Sequence, residues 1–380
     1  MESMEQQCEE RPRRVLQIGM TRNWGGLETY LMQQFRHLDP ARVCYDFVNI
    51  TGEYDICFQQ EILDAGSEIY SVCSRHRNPL KHYAEWYRLL QHHAGEYDAI
   101  VLNTNSLEYV YPLVLAKKFG IPRRVIHSHN AGYGHPIDCG RRALIAMNTR
   151  LIHASATDYL ACSEAAGRWM FGDGTSFRVV HNAIDTAGYR PDAARRAAVR
   201  AEFGLGDALV LGHVGRFTYQ KNHDYLLDIF AVVHRERSDA VLLLVGDAVE
   251  DTSFLDAAHE KAERLGLRDS VRFLGLRQDV PDLMQAMDAF LLPSHFEGLP
   301  LVGIEAQAAG LPCFVSDAVS RELAITDLMH FLPLGDASAW TAPILAAAGR
   351  PRRDTAAELR RAGYDIEAET RKMEEFFCSN

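Results

Sequence analysis

Apolar residues along the 380-residue chain gather into short, nearly charge-free runs, separated by longer stretches in which they recur every three or four positions. Short bare runs read as strands buried on both faces, and the longer spacing reads as helices that bury one stripe. In the first half this pattern predicts strands over 15–19, 44–50, 99–103, 124–128, 158–162 and 178–180, and helices over 27–38, 80–93, 107–119, 142–154 and 164–171. In the second half it predicts strands over 208–215, 240–246, 271–274 and 289–292, and helices over 225–234, 254–265 and 280–287. Another helix is expected to start from Pro300, with Ala306 and Ala309 favouring it and Gly310 and Pro312 stopping it. Beyond 317 the pattern loosens. A helix is predicted over 340–348, and the charged segment 355–377, with Leu359, Tyr364, Ile366, Met373 and Phe376 spread along it, is expected to dock through one face.

Strand and helix in alternation imply right-handed crossovers and mostly parallel sheets, with ligands at the carboxyl ends of the strands. A polar stretch around Pro191 separates the halves. The expected organisation is therefore a first domain over 14–185, a second over 186–354, and a terminal segment over 355–380. A chain of this length is comfortable as two domains.

Composition narrows the function. A net charge of -11 excludes the basic footprint of a duplex binder, so no nucleic-acid partner is expected. The eight cysteines form no CxxC pair and read as scattered reduced thiols in a cytoplasmic protein. Residues 1–14 lack the apolar core of a secretory signal, and no apolar run reaches bilayer length, so the protein reads as soluble or peripheral to a membrane. The helix over 138–155 carries Arg141, Arg142 and Arg150 beside apolar Leu144, Met147 and Leu151, with Ile145 and Ile152. It either packs with a solvated arginine edge or rests on an anionic membrane.

Four loops carry candidate chemistry. After the strand at 289–292 come Glu297 and, seven residues between, Glu305. They flank a helix start at which Gly298, Leu299 and Leu301 offer backbone amides. Amides and helix dipole suit a phosphate, carboxylates suit hydroxyls, and a loop accident is the bland alternative. After 208–215, Gly215 is followed by Arg216, a planar fork of donors, and by Lys221, a point charge, a pairing that suits a diphosphate. Gly25 and Gly26 open the first helix and favour close backbone approach by an anion, unless they are turn chemistry alone. His127 and His129 face one side of a strand, with His129 at its tip, as a functional group or as structural histidines.

Together Gly215-Arg216-Phe217 with Lys221, and Glu297-Gly298-Leu299-Pro300 with Glu305, resemble the retaining glycosyltransferases of family 4. The resemblance extends to Gly25, Gly26, His127, His129, Asn182, Asp185 and the tail around Gly363, and so from about 15 to 377. It is nearest to the branch that builds bacterial capsular and exopolysaccharides. It implies a GT-B architecture, an α/β fold of two Rossmann-like doubly wound parallel-sheet domains facing a central cleft. The first domain would take the acceptor and the second a nucleotide sugar, with the last helix crossing back. By the same resemblance Arg216 and Lys221 hold the diphosphate, Glu305 the ribose, and Glu297 the sugar. His129 lies under the reacting sugar, Gly26 supplies backbone on the phosphate or acceptor side, and Asn182 belongs to the binding set. Ala248 stands where this family commonly has glycine.

The implied reaction moves a sugar from a nucleoside diphosphate, expected to be UDP, to a polysaccharide or lipid-linked saccharide. No cofactor and no metal are expected, because fixed cations stabilise the leaving diphosphate and no Asp-x-Asp pair is present. A nucleotide-sugar epimerase of the same fold and a silent sugar-nucleotide-binding scaffold are the alternatives. The expected location is the cytoplasm, including the inner face of the cell membrane.

Overall fold

The protein is described by a computed structural model covering residues 11–23, 25–132, 137–248, 251–347 and 349–379. Most of the 133–139 loop lies outside the described residues. Two compact units divide the chain. One runs to Ala183 and regains the chain from Ile366 onward, and the other spans Ile184–Asp365.

The first unit holds seven parallel strands: β1 (Arg13–Ile18), β2 (Val43–Asn49), β3 (Ile69–Ser71), β4 (Ala99–Thr104), β5 (Arg123–Ser128), β6 (Asp158–Ala161) and β7 (Arg178–Val179). Between them lie α1 (Gly26–His37), α2 (Gln59–Asp64), α3 (Pro79–His93), α4 (Tyr111–Lys118), α5 (Cys139–Ser155) and α6 (Glu164–Phe171). The strand order β3-β2-β1-β4-β5-β6-β7 reverses direction between β1 and β4. At such a switch point the flanking loops part and leave a crevice outside the carboxyl ends. Strand residues alternate between two cores. Leu16, Ile18 and Ile126 pack with Trp86, Leu113 and Ile152 of α3, α4 and α5. Val15, Tyr45 and Val125 pack on the opposite face with Tyr30 and Leu31 of α1.

The second unit begins with α7 (Thr186–Tyr189) and α8 (Ala193–Glu202). It continues as β8 (Val210–Val214), α9 (His223–Glu236), β9 (Val241–Val245), α10 (Ser253–Arg264), β10 (Val271–Phe273) and α11 (Val280–Ala286). Then follow β11 (Ala289–Leu292), α12 (Leu301–Ala308), β12 (Cys313–Ser316), β13 (Met329–Leu332), α13 (Ser338–Ala347) and α14 (Ala356–Arg361). Its six parallel strands run β10-β9-β8-β11-β12-β13, so this sheet switches between β8 and β11. The final helix, α15 (Ile366–Cys378), returns to the first unit, where Met373, Phe376 and Phe377 join the α1 core.

Several expectations change. Helix α4 starts at Tyr111 rather than 107, because Thr104 and Ser106 close a side-chain turn ahead of it. Pro300 precedes α12 as its extended N-cap (ψ 117°) instead of opening its first turn. Segment 355–377 is two helices, parted at Gly363, whose φ of +86° is a left-handed break that ends α14. In α5 the buried stripe runs through Asn148, Ile152 and Ser155, so Met147 and Leu151 point outward. Cys378 is disulfide-bonded, which corrects the reading of every cysteine as a reduced thiol, while Cys44, Cys57, Cys73, Cys139, Cys162 and Cys313 are free.

Candidate active site

In the second unit the informative loops are those after β8 and β11, the two strands at the switch point. The β8 strand ends at Gly215, whose amide bonds to Val245 O (2.9 Å). Gly246 closes the adjacent strand end at φ +137°, and a Cβ there would stand 2.1 Å from Gly215 O. Only glycine allows two strand ends to approach this closely. A Cβ on Gly215 itself would meet His213 Nε2 at 3.0 Å and the Lys221 stem at 3.1 Å, so Gly215 leaves the space that the lysine stem occupies.

The chain then makes a 3-10 turn over Tyr219–Lys221 and enters α9 through Asn222, left-handed at φ 55°. Asn222 accepts from Tyr225 N and donates to Pro293 O (3.1 Å), tying the β8 loop to the β11 loop. Across this seam Lys221 Nζ donates to Glu297 Oε1 at 2.6 Å. Ser294 Oγ donates to the same oxygen (2.9 Å) and Gln220 Nε2 to the other (2.9 Å). The Lys221 side chain is 16% exposed and that of Glu297 8%, so the pair is largely withdrawn from water. Gln220 and Ser294 were not singled out from the sequence. Their signal is adjacency to Lys221 and a three-residue offset from Glu297 respectively. Arg216 is exposed, and among the described residues it has no ion-pair partner. One fixed cation is therefore matched by a carboxylate and a second is free for an anion.

Beneath the loop, His213 and His223 are buried with rings 4.7 Å apart. His213 Nδ1 bonds to Leu291 O (2.8 Å), linking β8 to β11. Burial holds His213 down to about 4 and His223 down to about 2, so both are neutral near Lys221. Past the seam, Gly298 and Leu299 lead through Pro300 to α12, whose first turn, at Leu301, contains no acidic residue to oppose an anion. Glu305 sits in the second turn. Burial pushes its carboxyl up to about 7, against a hydrogen bond from Tyr189 of α7 that pulls it down. Tyr189, far away in the chain, had no local signal in the sequence.

In the first unit the switch point lies between β1 and β4. Gly19 ends β1 at φ +128°, and a Cβ there would lie 2.4 Å from Asn103 O at the tip of β4. Asn103 Nδ2 donates to Gln17 Oε1 (2.9 Å) and Ile18 O (3.0 Å), leaving its Oδ1 to accept from His129 Nε2 (3.0 Å). That bond places the His129 proton on Nε2 and turns Nδ1 into an acceptor, which is buried without a partner. Burial holds His129 down to about 3, hence neutral. His127 lies 4.0 Å away ring to ring and is 1% exposed, so it belongs to the core beneath His129.

Gly25 is the extended N-cap of α1, and Gly26 has nothing within 4 Å of a would-be Cβ. The backbone here is open to a ligand, but Glu28 stands in the first helical turn and accepts from Thr21 N (3.1 Å) and Oγ1 (2.7 Å). A carboxylate at a helix N-terminus already satisfies the dipole. The loop therefore suits hydroxyls better than the anion expected from its glycines. Asn182 lies in this unit with its Oδ1 buried and unpartnered, while Asp185 caps α7 by accepting from Gly188 N (3.0 Å).

Comparison with known proteins places the chain in a family. The sequence model described as Glycosyl transferases group 1 matches residues 208–348, the β8-to-α13 part of the second unit. EpsF of Bacillus subtilis (strain 168), named as a glycosyltransferase, is 34% identical over 367 residues, covering 93% of this chain and 94% of its own. An Escherichia coli enzyme is 27% identical over 249 residues, 63% of this chain and 62% of its own; it is named UDP-Gal:alpha-D-GlcNAc-diphosphoundecaprenol alpha-1,3-galactosyltransferase. The crystal structure of Anabaena HepE in complex with UDP superimposes with a TM-score of 0.70 at 19% identity, covering 96% of this chain and 95% of that one, a likeness of fold. With EpsF matched along nearly its whole length, the chain belongs to the group 1, family 4-type glycosyltransferases of GT-B fold.

Proposed function

We propose that this glycosyltransferase moves a sugar from a UDP-sugar to a saccharide or lipid-linked saccharide acceptor, with retention of configuration and without a metal. The observation that carries the reading is the seam between the β8 and β11 loops: free Arg216, paired Lys221–Glu297, and Glu305 in the second turn of the helix that follows. In the unliganded protein Glu297 holds Lys221 in place. A bound diphosphate takes the lysine charge together with Arg216 and the α12 amides, which frees Glu297 to accept from sugar hydroxyls. Glu305, with its proton affinity raised, accepts from ribose hydroxyls as it ionises.

Leaving-group charge thus meets two fixed cations and a helix N-terminus, the preorganised donors that an active site needs in the absence of a divalent ion. Neutral His129, with an unpartnered acceptor nitrogen, suits a polyol beside it better than an imidazolium would. The open glycines at Gly25 and Gly26, with Glu28 beside them, suit acceptor hydroxyls. Support for a uridine donor comes from the Escherichia coli relative, named for UDP-Gal, and from the UDP complex of HepE. The former's diphosphoundecaprenol-linked acceptor supports a lipid-linked substrate, and with it action in the cytoplasm at the inner face of the membrane.

The test is a donor panel assayed with and without saccharide acceptors, before and after exhaustive chelation, with the anomeric configuration of the product read by NMR. Acceptor-dependent release of UDP, unchanged by chelation and giving a retained linkage, is the expected result. Conversion of the donor alone would make the protein an epimerase, and strict dependence on added manganese would remove the metal-free mechanism.

A further inference from the structure

His213 stands on β8 beneath the Gly215 loop and is fully buried. Its Nδ1 lies 2.8 Å from Leu291 O, and because a carbonyl can only accept, the ring proton is on Nδ1. Nε2 is then a bare lone pair, without a hydrogen-bond partner among the described residues. A buried acceptor left unpaired weakens a fold in a way that an apolar side chain of the same size does not. His82, by contrast, is buried with both nitrogens engaged, by Cys73 O and by the Tyr109 hydroxyl (2.6 Å each). An unpaired group of this kind finds its reason in the chemistry around it.

What borders the bare nitrogen is the stem of Lys221. A Cβ on Gly215 would lie 3.0 Å from His213 Nε2, 3.1 Å from Lys221 Cε and 3.2 Å from its Cδ, so nitrogen and stem border one small space that glycine leaves open. The ring is kept in this orientation by its bond to Leu291 O, by Phe290 lying parallel to it at 6.4 Å, and by the His223 ring set edge-on at 4.7 Å. His223 in turn stacks on Phe217 at 4.0 Å, and neither of its own nitrogens has a partner, so it does not take up the lone pair. Burial holds His213 down to about 4, with the Lys221 charge adding to the effect against the Leu291 bond, so the lone pair is present at neutral pH.

In the unliganded protein the Lys221 ammonium donates to Glu297 Oε1 at 2.6 Å. An ammonium has three donors, and a diphosphate at the seam would draw it off that carboxylate. We propose that His213 is a positioning residue for the transfer: as Lys221 turns to the diphosphate, the bare Nε2 accepts from its ammonium and holds the charge against the leaving group. A neutral acceptor suits this task. A second carboxylate would compete with the diphosphate for the cation, and an apolar side chain would leave a donor of a largely buried ammonium unpaired. The inference rests on the donor reading proposed above, in which Lys221 meets the diphosphate, and it adds the residue that aims the lysine.

The experiment uses two amides that each copy half of the ring. Asparagine sets a donor where Nδ1 stands and nothing at Nε2, whereas glutamine reaches the Nε2 position with an acceptor. On the full chain with UDP-galactose and UDP-glucose as donors, His213→Asn should lower kcat and kcat/KM together, roughly tenfold to a hundredfold, the scale of a hydrogen bond to a charged group, while Tm stays near that of the parent. His213→Gln should recover most of that turnover even though it lacks the Leu291 bond and melts earlier. In a Lys221→Met background His213→Asn should lower turnover no further, because its effect runs through the lysine. Nitrogen NMR of the histidine-labelled protein gives a readout without turnover: UDP should move the bare-nitrogen resonance of His213, identified by its loss in His213→Asn, towards that of a hydrogen-bonded acceptor in the parent but not in Lys221→Met. A histidine that only links β8 to β11 gives the opposite: glutamine no better than asparagine, a loss just as large without the lysine, and a resonance that UDP leaves in place. Any of these, or His213→Asn turning over like its parent, would overturn the proposal. Failure of UDP to bind, or normal turnover in Lys221→Met alone, would refute the donor reading and this inference with it, so the two failures are told apart.

Discussion

Replacing Glu305 with glutamine tests whether this carboxyl carries a cost in the fold that ligand binding recovers. Its side chain sits in the second turn of α12 against Tyr189, and burial raises it from 4.5 to about 7. Between those values the folded protein holds a proton that the unfolded chain has released. The group's contribution to stability is therefore greatest below pH 4.5, falls as pH rises, and levels off above 7. At ~1.36 kcal/mol per pH unit the full displacement is worth about 3 kcal/mol, and the half-buried position brings that to about 2–3 kcal/mol. Glutamine keeps the shape without the charge. Glu305→Gln should match the parent near pH 4.5 and be more stable by about 2–3 kcal/mol at pH 8, or roughly 5–10 °C in Tm for a domain of this size.

The same substitution should weaken UDP. In the proposed donor site ribose hydroxyls would donate to the ionised carboxylate, so binding would lower its proton affinity, and parent affinity should rise as pH passes 7. Glutamine retains an acceptor but loses the charge, which costs about 1.5–3 kcal/mol, or roughly tenfold to a hundredfold in Kd at pH 8. The assays are differential scanning fluorimetry across pH for both proteins and calorimetric titration with UDP. Parallel Tm curves for parent and variant would refute the raised carboxyl. A variant that is more stable at high pH yet binds UDP as well as the parent would keep the electrostatics and remove Glu305 from the donor site.

Two further outcomes follow from the geometry. Lys221→Met should reduce kcat/KM for the UDP-sugar by about a hundredfold to a thousandfold, the scale of losing one preorganised donor at developing charge. It also leaves Glu297 withdrawn from water without its cation, and breaking such a pair costs about 3–5 kcal/mol, towards the lower end here because Ser294 and Gln220 still donate. A thermal melt and a turnover assay on one preparation separate the two effects, and near-normal turnover with donor below saturation would remove Lys221 from the reaction. Gly19→Ala forces a Cβ to 2.4 Å from Asn103 O at φ +128°, so it should destabilise the first unit by several kcal/mol while UDP binding to the second unit stays intact. An unchanged melt would show that the β1–β4 tips do not need this contact.

What the sequence made legible follows from what each element must bury. Strand β11 (Ala289–Leu292) is buried at all four positions and reads as a bare apolar run with its bounds intact. Strand β3 lies at the sheet edge, is three residues long and only partly covered, and leaves no run to read. Helix α5 has the spacing of a helix, but its apolar positions do not settle which face lies inward, because Asn148 is buried through a hydrogen bond while Met147 and Leu151 are exposed. The site divides in the same way. Arg216, Lys221 and Glu297 are visible because each stands in a loop at a strand end, where alternation alone predicts ligands, and Glu305 because it follows inside the helix that the β11 loop leads into.

That Lys221 meets Glu297 is a different kind of fact, because 76 residues separate them. Alternation specifies parallel strands without specifying their order, and the loops after β8 and β11 meet only because the sheet runs β9-β8-β11-β12. Had β11 been laid beside β10, each loop would have kept its local chemistry and the seam would not exist. That order brings buried faces together by shape, as where a Cβ on Gly212 of β8 would stand 2.0 Å from Met287 Sδ just before β11, a fit between distant residues with no local periodicity. The electrostatic unit of the site thus rests on an apolar contact beneath it. A side chain at Gly212 should therefore disturb the Lys221–Glu297 pair without touching either residue.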